Sequence, residues 1–215
     1  MREWPLARLT ARHFYDYNTS AKSPVQPVPE IRYLLPRMLE LLAEGEDVHH
    51  SLELSLDRLG RCPEGSWTEA EQGVLDRFAL AYFDAVLRGG PLGQGVRQWL
   101  DDPLSVLLMF DIGGLDIAPL LDLWLRCDDA VSTIQFVDAT YWNFWAQRKY
   151  SNAFASDRPR FLQQISAWLI EPAHRRRFAD KLLSADFLRA AQLQPPVGRT
   201  PFSVMTDGVF DELTQ

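Results

Sequence analysis

The segment TEAEQGVLDRFALAYFDAV, residues 68–86, decides the fold class. Thr68, with Glu71 three positions later, has the pattern of a capping box, in which each side chain accepts a hydrogen bond from the other residue's backbone N–H. Behind this start, apolar residues recur three and four positions apart, as on the buried face of a helix: Val74, Leu75, Phe78, Ala79, Tyr82, Phe83 and Val86. A Gly-Gly-Pro sequence follows at residues 89–91. The segment therefore predicts an amphipathic helix that begins at Thr68 and ends before Gly89.

The same spacing appears upstream, between residues 31 and 42. Six apolar residues fall on one helical face: Ile31, Leu34, Leu35, Met38, Leu39 and Leu42. Pro36 lies inside this stripe, so either one helix kinks there or Pro36 opens the main helix behind a separate turn over residues 30–35. The preceding stretch, Tyr15–Pro29, contains three prolines and predicts a loop or an extended arm.

Three Trp-Leu pairs mark the second half of the chain, beginning at Trp99, Trp124 and Trp168. Each pair ends an apolar helical pattern and is followed by an acidic residue that can cap a new helix. The pairs lie 25 and 44 residues apart. A helix with its turn needs about 20–25 residues and a helix pair about 40–47, so this spacing is typical of stacked helix pairs.

These patterns predict an all-α fold of stacked antiparallel helix pairs, either a HEAT-like α-solenoid or an irregular helical bundle. Sustained two-residue alternation is absent from the sequence, so few or no strands are expected. We expect one all-α domain over residues 1–194, with a subdivision near residues 89–95 as an alternative. The Pro-rich stretch near residue 195 predicts an extended C-terminal tail over residues 195–215.

Composition excludes several classes of function. The 215-residue chain has a net charge of −7, which disfavours binding to nucleic acid and to anionic membrane surfaces. No signal-peptide pattern and no run of 18 apolar residues is present, so we expect a cytoplasmic protein without a membrane span. The two cysteines, Cys62 and Cys127, have no Cys or His neighbours and predict reduced thiols rather than a zinc site.

No motif reaches the specificity of a named chemistry. The chain lacks a GxSxG elbow, a P-loop and an HExxH pair, so we assign no catalytic residue, metal ligand or cofactor. His49 and His50, with Glu46, Asp47 and Glu53 nearby, come closest to a metal cluster. We interpret that segment as a solvated helix start, because acidic side chains suit the positive end of a helix dipole.

Rings are concentrated in the sequence YWNFW, residues 141–145. Tyr141 and Trp145 share a helical face with Ile134, so core packing explains them more simply than a ligand pocket. Asp138 lies on that same face, and a carboxylate there must find hydrogen-bond donors or shift its pKa. We retain Asp138, Tyr141 and Trp145 as polar or binding candidates.

The sequence EIRYLLPRMLELL, residues 30–42, resembles a helix found in a group of uncharacterised bacterial cytosolic helical proteins. That helix reads apolar-Leu-Pro-Arg-apolar-Leu-Glu-Leu, and a Trp and a Glu-containing helix follow it, here Trp67 and residues 69–83. The resemblance covers about residues 10–90. It implies a bacterial stand-alone protein and no particular chemistry. It also makes Arg37 a candidate for a fixed ion pair, either with Glu40 or with a neighbouring helix.

Two functions remain open at this point. Stacked helices mostly serve protein binding, so we favour a protein–protein interaction module, of immunity or antitoxin type, that binds a basic partner. The alternative is a small-molecule enzyme or ligand-binding protein with a pocket near His13, His49, His50 and the arm over residues 15–29. We favour a binding protein over an enzyme, and a self-associating structural protein is a third option.

Overall fold

The structure is a computed structural model that describes residues 5–89 and 102–215. Across these two ranges the regular secondary structure is helical, with eleven α-helices and several short turns of 3-10 or π-helix. An isolated bridge between Val197 and Thr200 is the one β pairing found there. The predicted all-α fold class is thereby confirmed.

The chain divides into two compact units. The first comprises Met1–Val86, Gly90–Asp101 and Ser105–Leu120, and the second comprises Leu87–Gly89, Asp102–Leu104 and Leu121–Gln215. The subdivision suggested near residues 89–95 falls, apart from Gly89, outside the described residues. Trp99, the first of the three Trp-Leu marks, also lies outside them.

Five α-helices lie wholly or mainly in the first unit: α1 Ala11–Thr19, α2 Val28–Ala43, α3 Asp57–Gly60, α4 Glu69–Leu87 and α5 Pro103–Ile112. Six belong mainly to the second: α6 Ala118–Arg126, α7 Ala130–Thr140, α8 Pro159–Ile170, α9 Pro172–Leu182, α10 Ala185–Ala191 and α11 Phe202–Thr214.

Helix α4 begins with the predicted capping box. The Glu71 carboxylate accepts from the Thr68 backbone N–H at 2.9 Å, and the Thr68 hydroxyl accepts from the Glu71 N–H at 3.2 Å. Most of the apolar stripe is buried, notably Leu75, Tyr82 and Phe83. Val74 differs, because 53% of its surface is exposed. The capping box is confirmed, and Val74 is an apolar side chain that the first unit leaves uncovered.

Helix α2 contains Pro36 within one continuous helix, which decides between the two sequence alternatives. All six residues of its predicted stripe are buried. Helix α1 extends to Thr19, so the expected arm over residues 15–29 shortens to residues 20–27. The prolines are consistent with these limits, because Pro27 lies at the N-cap of α2, where its missing N–H costs no helical hydrogen bond.

Buried Arg58 holds that short arm in place. Its guanidinium donates to the backbone oxygen of Tyr17 at 2.6 Å, to the Ser20 hydroxyl at 3.0 Å and to Gln26 Oε1 at 2.9 Å. It also lies over the Tyr17 ring, 4.1 Å from the ring centre. A single side chain from α3 therefore satisfies acceptors at both ends of the arm.

The tryptophans of two Trp-Leu pairs meet in the core of the second unit. The Trp124 and Trp168 rings stack with their centres 5.6 Å apart, and the Phe136 and Phe178 rings stack at 3.7 Å. Helix α7 contacts α9, α10 and α11, which are distant in sequence. In a solenoid each repeat contacts only its neighbours. The second unit therefore has the packing of an irregular helical bundle.

The C-terminal residues differ from the expected extended tail. Residues 202–214 form α11, which packs on α9 and α7 within the second unit. Its inner face is formed by four buried side chains that lie three or four positions apart: Phe202, Met205, Val209 and Leu213. The helical period of these side chains contradicts the extended conformation that the Pro-rich stretch before them suggests.

None of the described helices combines the length and the apolar character required to cross a lipid bilayer.

Candidate functional site

A groove in the first unit is lined by residues of α2 and of the start of α4. Its volume is about 270 Å³, and nearly all of its accessible lining is apolar. The lining residues are Arg32, Leu35, Pro36, Leu39, Trp67, Glu71, Val74 and Leu75. The groove combines buried leucines at its base with the exposed side chains of Pro36 and Val74 at its mouth.

An ion pair connects the two sides of this groove. Arg32 Nε lies 2.6 Å from Glu71 Oε1, and the same guanidinium donates to the Ser66 backbone oxygen at 2.9 Å. It also stacks over the Trp67 ring at 5.5 Å. Hydrogen bonds from Thr68 and Arg32 hold the pKa of the Glu71 carboxyl below its usual value. The charge of Arg32 is thus compensated at the groove.

The acidic excess of the chain lies entirely in the first unit. Its stretches contain seventeen Asp and Glu against ten Lys and Arg, whereas the second unit has twelve of each. The first unit therefore carries a charge of −7 and the second is neutral. Four exposed carboxylates lie at the C-terminal end of α2 and just beyond it, where the helix dipole is also negative: Glu40, Glu44, Glu46 and Asp47.

Arg37, a candidate from the sequence, organises part of this acidic surface. Its Nη1 lies 2.9 Å from Glu40 and 3.6 Å from Glu44, and its Nε donates to the Leu9 backbone oxygen at 3.0 Å. Arg37 is mostly buried while Glu40 is exposed. The structure thus contains an Arg37–Glu40 ion pair, which fixes one carboxylate at the surface.

A polar cluster lies where α1 meets the loop after α2. Buried Asn18 donates through Nδ2 to the Val48 backbone oxygen at 2.9 Å, and its Oδ1 has no hydrogen-bond partner among the described residues. His49 is buried beside it, and burial together with the nearby charges of Lys22 and His50 lowers its pKa to about 4. The imidazole is therefore neutral at physiological pH.

The arm contributes Lys22 to an ion-pair triad. Lys22 Nζ lies 2.7 Å from the Asp57 carboxylate, and Arg61 Nε lies 2.9 Å from it. Burial raises the pKa of Asp57, but the hydrogen bonds from the two cations outweigh burial and leave it below its usual value. Asp57 therefore stays ionised and ties the arm to α3.

The other histidines named in the sequence analysis are placed differently. His13 belongs to the capping box at the start of α1, where its Nδ1 accepts a hydrogen bond from the Thr10 N–H at 3.2 Å. His50 is exposed next to His49, with ring centres 4.2 Å apart. In residues 5–89 and 102–215 no three His, Cys, Asp or Glu side chains are arranged to hold a metal ion. None of these histidines lines the α2–α4 groove.

The candidates in the second unit lie in or just before a π-helical turn over Tyr141–Trp145. Trp145 is buried and donates through Nε1 to the Thr140 hydroxyl at 3.0 Å. Tyr141 packs against α11 at Gly208, where an added Cβ would lie 3.0 Å from the ring. Asp138 is exposed, and partial desolvation raises the pKa of its carboxyl. The structure gives Tyr141 and Trp145 packing roles and places Asp138 outside the core.

Sequence reasoning missed the residues that shape the groove, chiefly Arg32 and Val74. Val74 lies on the apolar stripe of α4 and so was assigned to the core, although no partner within the unit covers it fully. Arg32 has no signal of its own in the sequence. Arg32 and Glu71 are 39 positions apart in the sequence, so only the fold brings them together.

Comparisons with models of known protein families, with curated proteins and with solved structures return no match to this chain.

Proposed function

We propose that this chain is a protein–protein interaction module that binds a basic partner protein through its acidic first unit. The observation that carries the proposal is the uneven charge, −7 on the first unit and zero on the second. A surface of one sign attracts a partner of the opposite sign and speeds their encounter. Uneven charge also orients that encounter, because only one of the two units provides the attraction.

The end of α2 is the part of the acidic surface best suited to this role. Arg37 fixes Glu40 at 2.9 Å, so this carboxylate loses less side-chain entropy on binding than a free one would, and Glu44 lies 3.6 Å from the same cation. Exposed Glu46 and Asp47 extend the patch beyond the helix. Surface charges act over about 8 Å at physiological ionic strength, so a close row of carboxylates is more effective than scattered ones.

A finer version of the proposal concerns the biological setting. An acidic helical protein that covers a basic toxin would be an immunity or antitoxin-type protein of the bacterial cytoplasm. The charge of the first unit supports the basic partner. Co-expression of the chain with a captured partner that is toxic by itself tests this version, and survival of the cells is the expected outcome.

Affinity capture tests the general proposal. The full chain is immobilised, exposed to an extract of the source cells, and washed at low salt and at about 0.3 M salt. We expect a stoichiometric basic protein that the higher salt releases. A variant with Glu44→Gln, Glu46→Gln and Asp47→Asn should lose it. The matched control removes three exposed carboxylates of the second unit, Asp180, Asp207 and Asp211, and should retain it. An acidic partner, or equal retention by both variants, contradicts the proposal.

The second candidate function is small-molecule binding at the polar cluster. One observation favours it, namely the buried Asn18 Oδ1 without a hydrogen-bond partner beside a neutral, buried His49. A buried acceptor of this kind can take a donor from a ligand. Thermal unfolding with a panel of metabolites tests it. A rise in Tm that disappears in Asn18→Leu, which lacks the acceptor oxygen, supports the candidate, and an unchanged Tm across the panel removes it.

A further inference from the structure

We propose that the second unit binds a methylated ammonium group, of the kind that a small quaternary amine or a trimethylated lysine carries, in a corner formed by Asp138, Tyr141 and Trp142. This site goes beyond the proposed function, because it lies in the electroneutral second unit and needs nothing from the acidic first unit. Three observations support it, namely a carboxylate without a partner, two rings nearly at a right angle and a turn that fixes one of those rings.

Asp138 is a carboxylate that the protein leaves without compensation. It is the one exposed residue among residues 132–140, so its carboxylate occupies a narrow opening on a helix that is otherwise buried there. Partial burial raises the pKa of this carboxyl, and no hydrogen-bond donor or cation among the described residues lies close enough to lower it again. A desolvated carboxylate without a partner costs free energy. A cation that arrives from outside therefore gains an interaction that the chain itself does not satisfy.

Two aromatic rings form the walls of the corner. The centres of the Tyr141 and Trp142 rings lie 4.7 Å apart, and their planes meet at 86°. A cation placed between two rings in this orientation faces both of them. Aromatic faces attract cations, and those of Trp do so most strongly. Trp142 is 51% exposed, so its ring is accessible to a ligand.

Helical spacing brings the carboxylate and the rings together. Tyr141 and Trp142 follow Asp138 by three and four positions, and residues at these spacings are neighbours on a helix surface. The backbone is still α-helical at this point, since the Tyr141 N–H donates to the Val137 oxygen. Side chains on a helix lean towards its N-terminus. The two rings therefore lie over the turn that carries Asp138.

The turn after Asp138 fixes one wall of the corner. The helix widens at Tyr141, whose oxygen accepts from the Ala146 N–H, five positions later, at 3.1 Å. Such π-helical turns are rare overall but frequent at functional sites. At Gly208 on α11 an added Cβ would lie 3.0 Å from the Tyr141 ring, so the lack of a side chain lets α11 hold this ring closely. A wall that is fixed in advance reduces the entropy that binding costs.

The chemistry of the corner favours a methylated ammonium group over a primary one. A primary ammonium has three N–H donors, which need several acceptors when the group leaves water. The corner offers one carboxylate and two ring faces. A quaternary ammonium has no N–H to satisfy, and its methyl groups pack on aromatic faces while its charge is attracted by the rings and the carboxylate.

The first experiment titrates the full wild-type chain with choline at constant ionic strength. The backbone amide signals of Tyr141 and Trp142 are followed by NMR in isotope-labelled protein. We expect a saturable shift with a Kd of about 1 mM, as an open site with few contacts gives. The matched ligand control is neohexyl alcohol, in which a tert-butyl group replaces the trimethylammonium group of choline. It should bind at least about tenfold more weakly, because it has the same shape without the charge.

Two variants test the residues of the corner. Asp138→Asn keeps the shape of the side chain and removes its charge, whereas Trp142→Leu removes a ring. Each should weaken choline binding at least about fivefold, read from the Tyr141 amide. Trp142→Phe retains an aromatic face and should keep most of the affinity. Both positions are exposed, so the fold should persist, and an unchanged Tm verifies that it does.

Control variants remove carboxylates elsewhere. Asp180→Asn removes an exposed carboxylate from α9 of the same unit and should leave the affinity for choline within about twofold of wild type. The first-unit variant with Glu44→Gln, Glu46→Gln and Asp47→Asn should bind choline as the wild type does. This independence separates the corner from the acidic surface of the proposed function.

A second ligand distinguishes the two sources of the group. A short peptide with one trimethyllysine and the same peptide with unmodified lysine are titrated under identical conditions. The trimethyllysine peptide should bind at least about fivefold more tightly than the unmodified one. If it also binds at least about tenfold more tightly than choline, the group belongs to a protein, because peptide contacts then add to those of the ammonium. Equal affinity of this peptide and choline assigns the group to a small solute, and either result supports the site.

Three results overturn the inference. The absence of a saturable shift with both choline and the trimethyllysine peptide removes the site. Equal binding of choline and neohexyl alcohol shows that the charge is not recognised. Unchanged affinity in either Asp138→Asn or Trp142→Leu places the binding elsewhere.

Discussion

Lys181, buried on α9, donates through Nζ to the backbone oxygen of Cys127, 2.7 Å away at the end of α6. A second donated bond reaches the Trp124 oxygen at 3.0 Å. The last carbonyls of a helix have no intrahelical partner, so a cation at this position both satisfies them and complements the negative end of the dipole. Asp128 is the nearest carboxylate, at 4.0 Å.

The first prediction follows from the cost of burying Lys181. Burial lowers its pKa to about 8, despite Asp128. Between pH 8 and the usual pKa of 10.5, the unfolded chain binds more protons at this residue than the folded chain, so stability rises with pH there. We expect the free energy of unfolding of the wild type, relative to Lys181→Met, to increase by about 2 kcal/mol from pH 7 to pH 10.

Denaturant titrations at several pH values measure this difference. Lys149→Met removes an exposed lysine of the same unit and should show no such trend relative to the wild type. A constant gap between the wild type and Lys181→Met across the range would show that Lys181 keeps its ordinary pKa.

The second prediction concerns His49 and acid. Burial lowers its pKa to about 4 from the usual 6.5, so the unfolded chain binds the extra proton between these values. The stabilising contribution of neutral His49 is complete above pH 6.5 and is lost progressively as the pH falls towards 4. We expect the stability advantage of the wild type over His49→Gln to shrink by about 2 kcal/mol between pH 7.5 and pH 4.5.

Neighbouring His50 supplies the control for this measurement. It is exposed, and its charge is only a secondary cause of the low pKa of His49, after burial and Lys22, so His50→Gln should keep most of the acid sensitivity that His49→Gln removes. If His50→Gln, rather than His49→Gln, removes the acid sensitivity, burial of His49 is not its cause.

Local sequence is sufficient to predict most of the helices, because their signals lie within a few positions of one another. The capping box at Thr68 and the stripe of α2 were both found in this way. Pro36 left two alternatives, since a proline fits a helix interior or a helix start, and only packing decides between them. The helix at residues 202–214 differs from the expected tail, because the prolines ahead of it predict an extended segment while its own apolar spacing is helical.

The candidate site and the core of the second unit depend on contacts that no local pattern encodes. Arg32 meets Glu71 from 39 positions away, and Lys181 caps a helix whose last residues lie more than 50 positions earlier. A lysine on the apolar stripe of α9, between Phe178 and Leu182, was the one visible hint of that cap. Val74 shows the opposite limit, because helical period predicts which face is apolar but not which part of it stays uncovered.

The third prediction contrasts two glycines of the first unit. An added Cβ at Gly60 would lie 1.9 Å from the Ile112 backbone oxygen, which cannot move without shifting the end of α5. Gly60→Ala should therefore lower the free energy of unfolding by about 3 kcal/mol. Gly73 lies inside α4, where an added Cβ would meet only the flexible end of Arg77, at 3.4 Å. Gly73→Ala should raise stability by about 0.5–1 kcal/mol, because alanine favours the helix.

Chemical denaturation of the two variants at one pH measures both changes in the free energy of unfolding, the decrease in Gly60→Ala and the increase in Gly73→Ala. The same substitution then produces opposite effects, which a general sensitivity to mutation could not produce. Unchanged stability in Gly60→Ala would refute the close approach of α3 to the end of α5.

The last prediction concerns the arm over residues 20–27. Arg58 supplies its hydrogen bonds to Tyr17, Ser20 and Gln26, and methionine cannot replace any of them. Arg58→Met removes all three bonds; the Tyr17 oxygen keeps the Ser20 hydroxyl as a donor at 2.7 Å, but Gln26 Oε1 loses its donor, and the total cost should be about 2–3 kcal/mol. Because the lost contacts belong to the arm, we expect the arm to detach before the rest of the first unit unfolds.

Trypsin reports this detachment through Lys22. In the wild type, Lys22 is mostly buried and paired with Asp57 at 2.7 Å, so cleavage after it requires local opening of the arm. The rate of cleavage at Lys22, followed by mass spectrometry under native conditions, should rise at least about tenfold in Arg58→Met, in proportion to the population of the opened arm. Arg12→Met removes an exposed arginine of α1 and should leave that rate unchanged. Equal rates in Arg58→Met and the wild type would mean that the Lys22–Asp57 pair, and not Arg58, holds the arm.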